Sequence, residues 1–300
     1  MYPGAYVETT PDKPAVIMAE TGEQMSFAEL DDYANRLANL FQSAGFEPGD
    51  HVALCLENRL DYMAICWGAH YAGLIYTAIS SRLTDAEIAY IVNDCGARAF
   101  ITSPYKADEA AALLADTPGV EMRLSVGGRL DGYDDLGDLL AQQQVEPVGP
   151  RVEGGDMLYS SGTTGRPKGV KVPVEPVPLG DTDSVTTLLS LLFGATADTV
   201  YLSPAPLYHA APLRFCRGIN RLGATLVVME HFDAENMLRF IERYEVTLMQ
   251  VVPTMFVRAL KLDEEVRASY DVSSLDAVVH AAAPCPVAVK KHMIEWWGPI

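Results

Sequence analysis

The residues best equipped for chemistry lie in one run, Tyr159-Ser-Ser-Gly-Thr-Thr-Gly-Arg-Pro-Lys-Gly169. From Ser160 to Gly169, ten residues hold four hydroxyls (Ser160, Ser161, Thr163, Thr164), three glycines (Gly162, Gly165, Gly169) and two cations (Arg166, Lys168). A polyphosphate needs that mixture. Glycines let the backbone take positive φ and approach a ligand closely. Hydroxyls and freed backbone N–H groups donate to phosphate oxygens, while Arg166 and Lys168 offset their charge. A Ser/Thr/Gly run is more commonly a flexible linker. This one follows Met157-Leu158-Tyr159, an apolar run that reads as a strand, and Pro167 stiffens its exit. The triphosphatase pattern G-x-x-x-x-G-K-[ST] is the nearer rival. Counted from Gly162 it puts Lys168 in register, but Pro167 replaces the second glycine and Gly169 the metal-binding hydroxyl. That pattern is therefore rejected.

Three further segments carry reactive side chains. His209 closes Pro206-Leu207-Tyr208-His209 and precedes two alanines. A histidine so placed reads either as a packed, hydrogen-bonded core residue or as a site residue. In Val252-Pro253-Thr254, Pro253 suits the first turn of a helix over Met255–Leu260, with Thr254 helping to cap it. In His280-Ala-Ala-Ala-Pro-Cys285, a nucleophile–base pair of Cys285 and His280 is rejected, because no third group orients them.

The elements that must position these residues are legible as alternating helices and strands. Ser26 and Glu29 form a capping-box pair ahead of Leu30, Ala34, Leu37 and Phe41, and Gly45 ends the run. Thr84 and Glu87 repeat the device, with Gly96 closing. Asp233 opens a helix whose Leu238, Ile241 and Tyr244 share a face. Strands are predicted over His51–Leu56, Leu74–Ala78, Ala97–Thr102, Thr199–Leu202, Ala224–Met229, Val246–Val251 and Ala277–His280. Several are apolar throughout, as strands covered on both faces should be. The alternation predicts an α/β fold of mainly parallel sheets flanked by helices. Polar, proline- and glycine-bearing Gln142–Gly155 reads as a break between an early half and the phosphate-run half, and Val172–Asp183 as a loop.

Bulk properties exclude several classes. The 300-residue chain carries a net charge of −18, which opposes DNA, RNA and anionic membrane surfaces. Five scattered cysteines without CxxC spacing indicate neither a zinc site nor a disulfide framework, which suits a reduced cytoplasmic protein. The N-terminus has no basic region followed by an apolar core, so no signal peptide is expected. Met63–Ile79 and Val185–Phe193 fall short of about 18–20 uninterrupted apolar residues and read as buried helices or a helix–strand pair.

The Tyr159–Gly169 run resembles the phosphate loop of the adenylate-forming (AMP-binding) superfamily, which includes acyl-CoA synthetases, luciferases and peptide-synthetase adenylation domains. Thr10-Pro-Asp-Lys-Pro-Ala-Val-Ile17, the Ser26–Gly45 helix and Gly49-Asp50-His-Val-Ala-Leu54 are similar to the opening of such synthetases, so the resemblance covers nearly the whole chain. It implies an ATP-dependent ligase that converts a carboxylic acid, a fatty acid above all, to acyl-AMP and then acyl-CoA. ATP, Mg²⁺ and coenzyme A are the implied cofactors and co-substrates, and a homodimer is compatible with it. Ser160, Ser161, Gly162, Thr163, Thr164 and Gly165 would hold the β,γ-phosphates, Lys168 would offset their charge, and Ser160 would touch Mg²⁺. The Pro206–His209 segment is similar to one beside the acyl pocket and phosphates, where His209 would orient the carboxylate or gate the tunnel. Thr254 would border the acyl site. Ala282-Ala283-Pro284 resembles a Gly-Gly-Ala-Pro segment that passes the adenine, with alanines for glycines. The family continues past the position of Ile300 with a Thr-Glu motif that holds Mg²⁺, a ribose-binding Asp and a lysine-bearing C-terminal domain. The expectation is therefore an incomplete N-terminal adenylation domain over 1–300, from a shortened chain, a proteolytic product or a split reading frame. An aryl- or amino-acid adenylating enzyme and an inactive nucleotide-binding fragment are the alternatives.

Overall fold

Strands that are apolar on every residue need cover on both faces, and the chain answers this with two sheets stacked through helices. The computed structural model describes residues 1–160, 167–171, 177–181 and 183–300. The central positions of the phosphate run, residues 161–166, therefore lie outside the described residues.

The first sheet has the order β14-β13-β11-β12-β1-β2. Its strands are β1 (Pro14–Met18), β2 (Gln24–Ser26), β11 (Val200–Ser203), β12 (Thr225–Val228), β13 (Leu248–Val251) and β14 (Ala277–His280). All neighbours are parallel except β1 and β2. The second sheet is parallel throughout, in the order β7-β6-β5-β3-β4-β8. It comprises β3 (His51–Cys55), β4 (Ile75–Ala78), β5 (Ala97–Thr102), β6 (Met122–Ser125), β7 (Asp134–Asp135) and β8 (Gly155–Asp156). Between the two blocks of sequence stands an antiparallel hairpin, β9 (Leu158–Ser160) with β10 (Lys168–Val170).

Side chains alternate between faces along a strand, and here each face enters a different core. Val16, Leu226 and Val228 of the first sheet meet Val52, Leu54 and Ile101 of the second in one central core. Helices α1 (Phe27–Ser43), α2 (Tyr62–Tyr71) and α7 (Ala210–Arg221) fill the layer between the sheets. The intervening residues Leu202, Val227 and Met249 face outward to α8 (Ala234–Tyr244), α9 (Pro253–Leu260) and α11 (Val287–Trp297). Ala53, Cys55 and Phe100 face outward to α3 (Asp85–Asp94) and α4 (Ala107–Asp116). Helices α5 (Leu136–Leu140), α6 (Ser184–Phe193) and α10 (Glu264–Ala268) complete the set. The layers thus run helix, sheet, helix, sheet, helix, the expected parallel α/β architecture.

Local signals place the helices. The Ser26 hydroxyl accepts from Glu29 N at 3.2 Å and the Glu29 carboxylate accepts from Ser26 N at 2.8 Å, closing the capping box of α1. Ahead of α3, Glu87 accepts from both the backbone N–H and the hydroxyl of Thr84. Met63–Ile79 resolves into α2 and β4, turned by Gly73 at φ 74°. The expectation that Val185–Phe193 is buried needs correction. It forms α6, which buries Leu189 but leaves Leu191 82% exposed. The polar 142–155 stretch is docked along α1, where fully buried Asn39 donates to the carbonyls of Gln144 and Glu146 and accepts from Val148 N–H. Among the described residues no helix is long and apolar enough to cross a membrane.

Candidate active site

Open parallel sheets bind ligands outside the carboxyl ends of their strands, where the winding direction reverses. In the first sheet the chain goes from β11 to β12 on one side, then crosses to β13 on the other. The reversal therefore lies between β11 and β13. The Pro206–His209 segment leaves β11 at this edge, Val252-Pro253-Thr254 leaves β13, and Ala281–Pro284 leaves the adjacent β14. Three segments spread over some eighty residues of sequence are thus brought to one sheet edge.

His209 is the N-cap of α7 and is exposed, so it is not a packed core residue. Its ring lies 4.5 Å from that of Tyr208. Partial desolvation, then the positive charge of Arg82, hold its pKa below the ordinary histidine value. Arg82, in the turn after β4, was not singled out by sequence reasoning, since a lone exposed arginine in a turn carries no pattern. Thr254 is exposed at the second position of α9. Val252, not Thr254, occupies the N-cap of that helix, so the capping role expected for Thr254 is not taken up. Ala282, Ala283 and Pro284 are exposed, and Ala282 sits at φ 69°, a left-handed conformation that favours glycine. His280 packs edge-on against Phe256, with ring centres 6.0 Å apart.

The phosphate run is held at its ends by the β9–β10 hairpin, which sets Lys168 directly opposite Ser160. The Ser160 hydroxyl donates to the Lys168 carbonyl at 3.4 Å, and both side chains are exposed. Helix α3 grips each arm. The Tyr90 hydroxyl donates to the Pro167 carbonyl at 3.2 Å, and Asp94, one turn on, accepts from the Tyr159 hydroxyl at 2.5 Å. Gly169 allows the arms to close, because a Cβ there would overlap the Met157 methyl and the Tyr159 ring. Ser161, Gly162, Thr163, Thr164, Gly165 and Arg166 belong to the part outside the described residues.

A partly buried ladder of charge joins the base of this hairpin to α7, whose N-cap position is His209. Arg214, Arg217 and Arg221 lie on one face of α7. Asp156 in β8 accepts from Arg214 at 2.7 Å and from Arg217 at 2.9 Å. Asp183 pairs with Arg217 at 3.2 Å and Arg221 at 3.3 Å, and Arg221 reaches Glu153 at 2.5 Å. Such arginines were missed because charges at helical spacing read as a solvated face.

Among the described residues no group of three His, Cys, Asp or Glu is placed to hold a metal. Ser160 offers one exposed hydroxyl beside the Lys168 carbonyl, next to residues 161–166, which lie outside the described residues.

With this geometry in view, comparison with known proteins is informative. Residues 5–300 match the AMP-binding enzyme family. Feruloyl-CoA synthase of an Amycolatopsis species is 31% identical over 285 residues, covering 94% of this chain and 54% of that protein. Long-chain-fatty-acid–CoA ligase FadD13 of Mycobacterium tuberculosis is 29% identical over 293 residues, with 94% and 54% covered. The chain thus spans about half the length of the curated relatives it matches. Among solved structures, the N-terminal domain of FACL13 from Mycobacterium tuberculosis superimposes with a TM-score of 0.82 at 24% identity, over 96% of this chain and 71% of that one. The anthranilate CoA ligase AuaEII, in complex with anthranoyl-AMP, gives 0.83 at 23% identity over 99% and 57%. These likenesses show a shared fold.

Proposed function

The chain belongs to the AMP-binding enzyme family, and from that footing we propose that it forms the ATP- and acid-binding part of an acid–thiol ligase. The observation that carries the proposal is the β9–β10 pairing, which closes a hydroxyl- and glycine-rich run by setting Lys168 against Ser160. In the proposed reaction a carboxylate oxygen attacks the α-phosphorus of ATP, and the bond to the bridging oxygen breaks to release pyrophosphate. The thiol sulfur of coenzyme A then attacks the acyl carbon of acyl-AMP and AMP leaves.

Within this reading, Ser160, Ser161, Gly162, Thr163, Thr164 and Gly165 hold the β,γ-phosphates through hydroxyl and backbone donors. Lys168 offsets their charge. Ala282, Ala283 and Pro284 lie along the adenine. His209 and Thr254 border the acid, and His209 orients its carboxylate. Ser160, at one end of the run, is the residue proposed to touch Mg²⁺. Both half-reactions are assigned to a chain of the relatives' length, and nucleotide binding with weak or no turnover to these 300 residues. A fatty acid is the proposed substrate class. An aryl acid is the second reading, supported by the 31% identity to a feruloyl-CoA synthase.

Two measurements test this. A chain of the relatives' length should exchange labelled pyrophosphate into ATP only when a carboxylic acid is present, and a panel from acetate through long-chain and aryl acids identifies the class. No exchange with any acid would sink the ligase reading. For the 300-residue chain, calorimetry should find ATP binding that Thr163→Ala with Lys168→Ala removes without unfolding. Each lost bond to a charged phosphate is worth about 1.5–3 kcal/mol, so the pair should weaken binding by about a hundredfold or more. Unchanged affinity would place the nucleotide elsewhere.

A further inference from the structure

The second sheet winds as the first does, from β3 to β4 and then across to β5, so its own reversal lies at the carboxyl end of β3. Residues 57–59 leave the strand there. Glu57 accepts from the Ser103 hydroxyl at 2.5 Å and Arg59 donates to the Val126 carbonyl at 3.3 Å, both within the second sheet. Asn58, between them, reaches the first sheet. Its Nδ2 donates to the Ala205 carbonyl at 3.2 Å and the Met229 carbonyl at 2.7 Å, and its Oδ1 accepts from Leu207 N–H at 2.8 Å. Both amide protons and the acceptor are therefore engaged.

The groups it holds are significant. Ala205 and Leu207 flank Pro206 in the loop between β11 and α7, which ends at His209, and Met229 directly follows β12. Pro204 and Pro206 have no N–H to give, so this loop is short of donors and needs a partner from outside. The second sheet also carries the phosphate hairpin: β8 pairs with β4, Met157 N–H donates to the Tyr76 carbonyl, and β9 follows.

We propose that Asn58 is a positioning residue, a clasp between the two sheets that sets the His209 loop relative to the phosphate hairpin. Its assignment to acid and nucleotide binding rests on the function proposed above, whereas the clasp rests on the three hydrogen bonds. The test uses the 300-residue chain with Asn58→Ala and Asn58→Asp, read by hydrogen–deuterium exchange across residues 204–209 and by calorimetry with ATP. The aspartate is the size of the asparagine, but it donates to neither carbonyl and faces both with negative charge. Both variants should therefore speed exchange of the loop by about tenfold and weaken ATP binding by about tenfold, with α8 still protected. Should the alanine variant not fold, Asn58→Ser, which keeps one donor, carries the same comparison. Loop exchange unchanged in the variants, or an Asn58→Asp chain that behaves as wild type, overturns the clasp. Faster exchange with ATP affinity unaltered overturns its role in positioning. If the wild-type chain binds no ATP, the nucleotide reading fails, and loop exchange still decides the clasp.

Discussion

At the residue scale, Ala282 shows how a segment at the end of β14 can be held against its own preference. An L-residue at φ 69° carries steric cost of about 1–2 kcal/mol, and glycine gives back part of that through its larger unfolded-state entropy. Ala282→Gly should therefore stabilise the chain by about 0.5–1 kcal/mol in urea unfolding, and a destabilised variant would show that the strain is not felt. Gly169 is the converse case. Its methyl-free Cα lets the hairpin arms touch, so Gly169→Ala should cost about 1–3 kcal/mol by forcing Met157 or Tyr159 to move. Wild-type stability in Gly169→Ala would mean that the arms are looser than they stand here. The sequence marked both positions, as a glycine of the phosphate run and as an alanine where the resembled segment carries glycine. Only the backbone told which one is strained and which merely crowded.

At the scale of elements, α7 does two tasks at once. Its first residue follows His209, while its arginine face reaches Asp156 just ahead of the β9–β10 hairpin. Removing one partner of a buried pair leaves the other charge uncompensated, at a cost of about 3–5 kcal/mol. Asp156 is 4% exposed and Arg217 10%, so Asp156→Ala should fall in that range by chemical unfolding, whereas Arg214, more exposed at 37%, should matter less. Equal losses for Asp156→Ala and Arg214→Ala would show that burial does not set the hierarchy. The helix itself escaped sequence reasoning. Its arginines at positions 214, 217 and 221 present a charged stripe, and a stripe of that kind ordinarily faces water. Caps, by contrast, were readable at Ser26, Thr84 and Asp233, because their partners sit within three residues and no distant contact is needed.

Across the whole molecule, a buried ionic group pins the second sheet's helix α2 to α7 of the first. His70 Nε2 lies 2.5 Å from a Glu153 carboxylate oxygen and 3.0 Å from an Arg221 guanidinium nitrogen, and Arg221 donates to that same oxygen. Burial holds the His70 pKa below its ordinary 6.5, more than the Glu153 bond raises it. Burial pushes the Glu153 pKa up, but the hydrogen bonds and charges of His70 and Arg221 outweigh it and leave the carboxyl below its ordinary 4.5. Both shifts act in one direction. The unfolded chain binds protons first, at His70 as pH falls through 6.5 and at Glu153 as it falls through 4.5, so folding stability declines with acid over that whole span. Chemical unfolding between pH 7.5 and 3 should show the decline, and Glu153→Gln should flatten the part below pH 4.5. A stability flat down to pH 4 would exclude this linkage.

Local pattern was enough to place β11 to β14 of the first sheet, β3 to β5 of the second, the capped helices and the hydroxyl-rich run, because periodicity and caps report on neighbours a few residues apart. The same pattern could not say that β1 and β12, about two hundred residues apart, lie side by side, or that His209, Thr254 and Ala282 share one edge. Nor could it distinguish the solvent-facing Leu191 from a buried leucine, or pick Asn58 out of a turn. An apolar face shows that an element must be covered and leaves open which element covers it. That choice is made when distant faces meet across two sheets, and it also decides where the side chains at their edges converge.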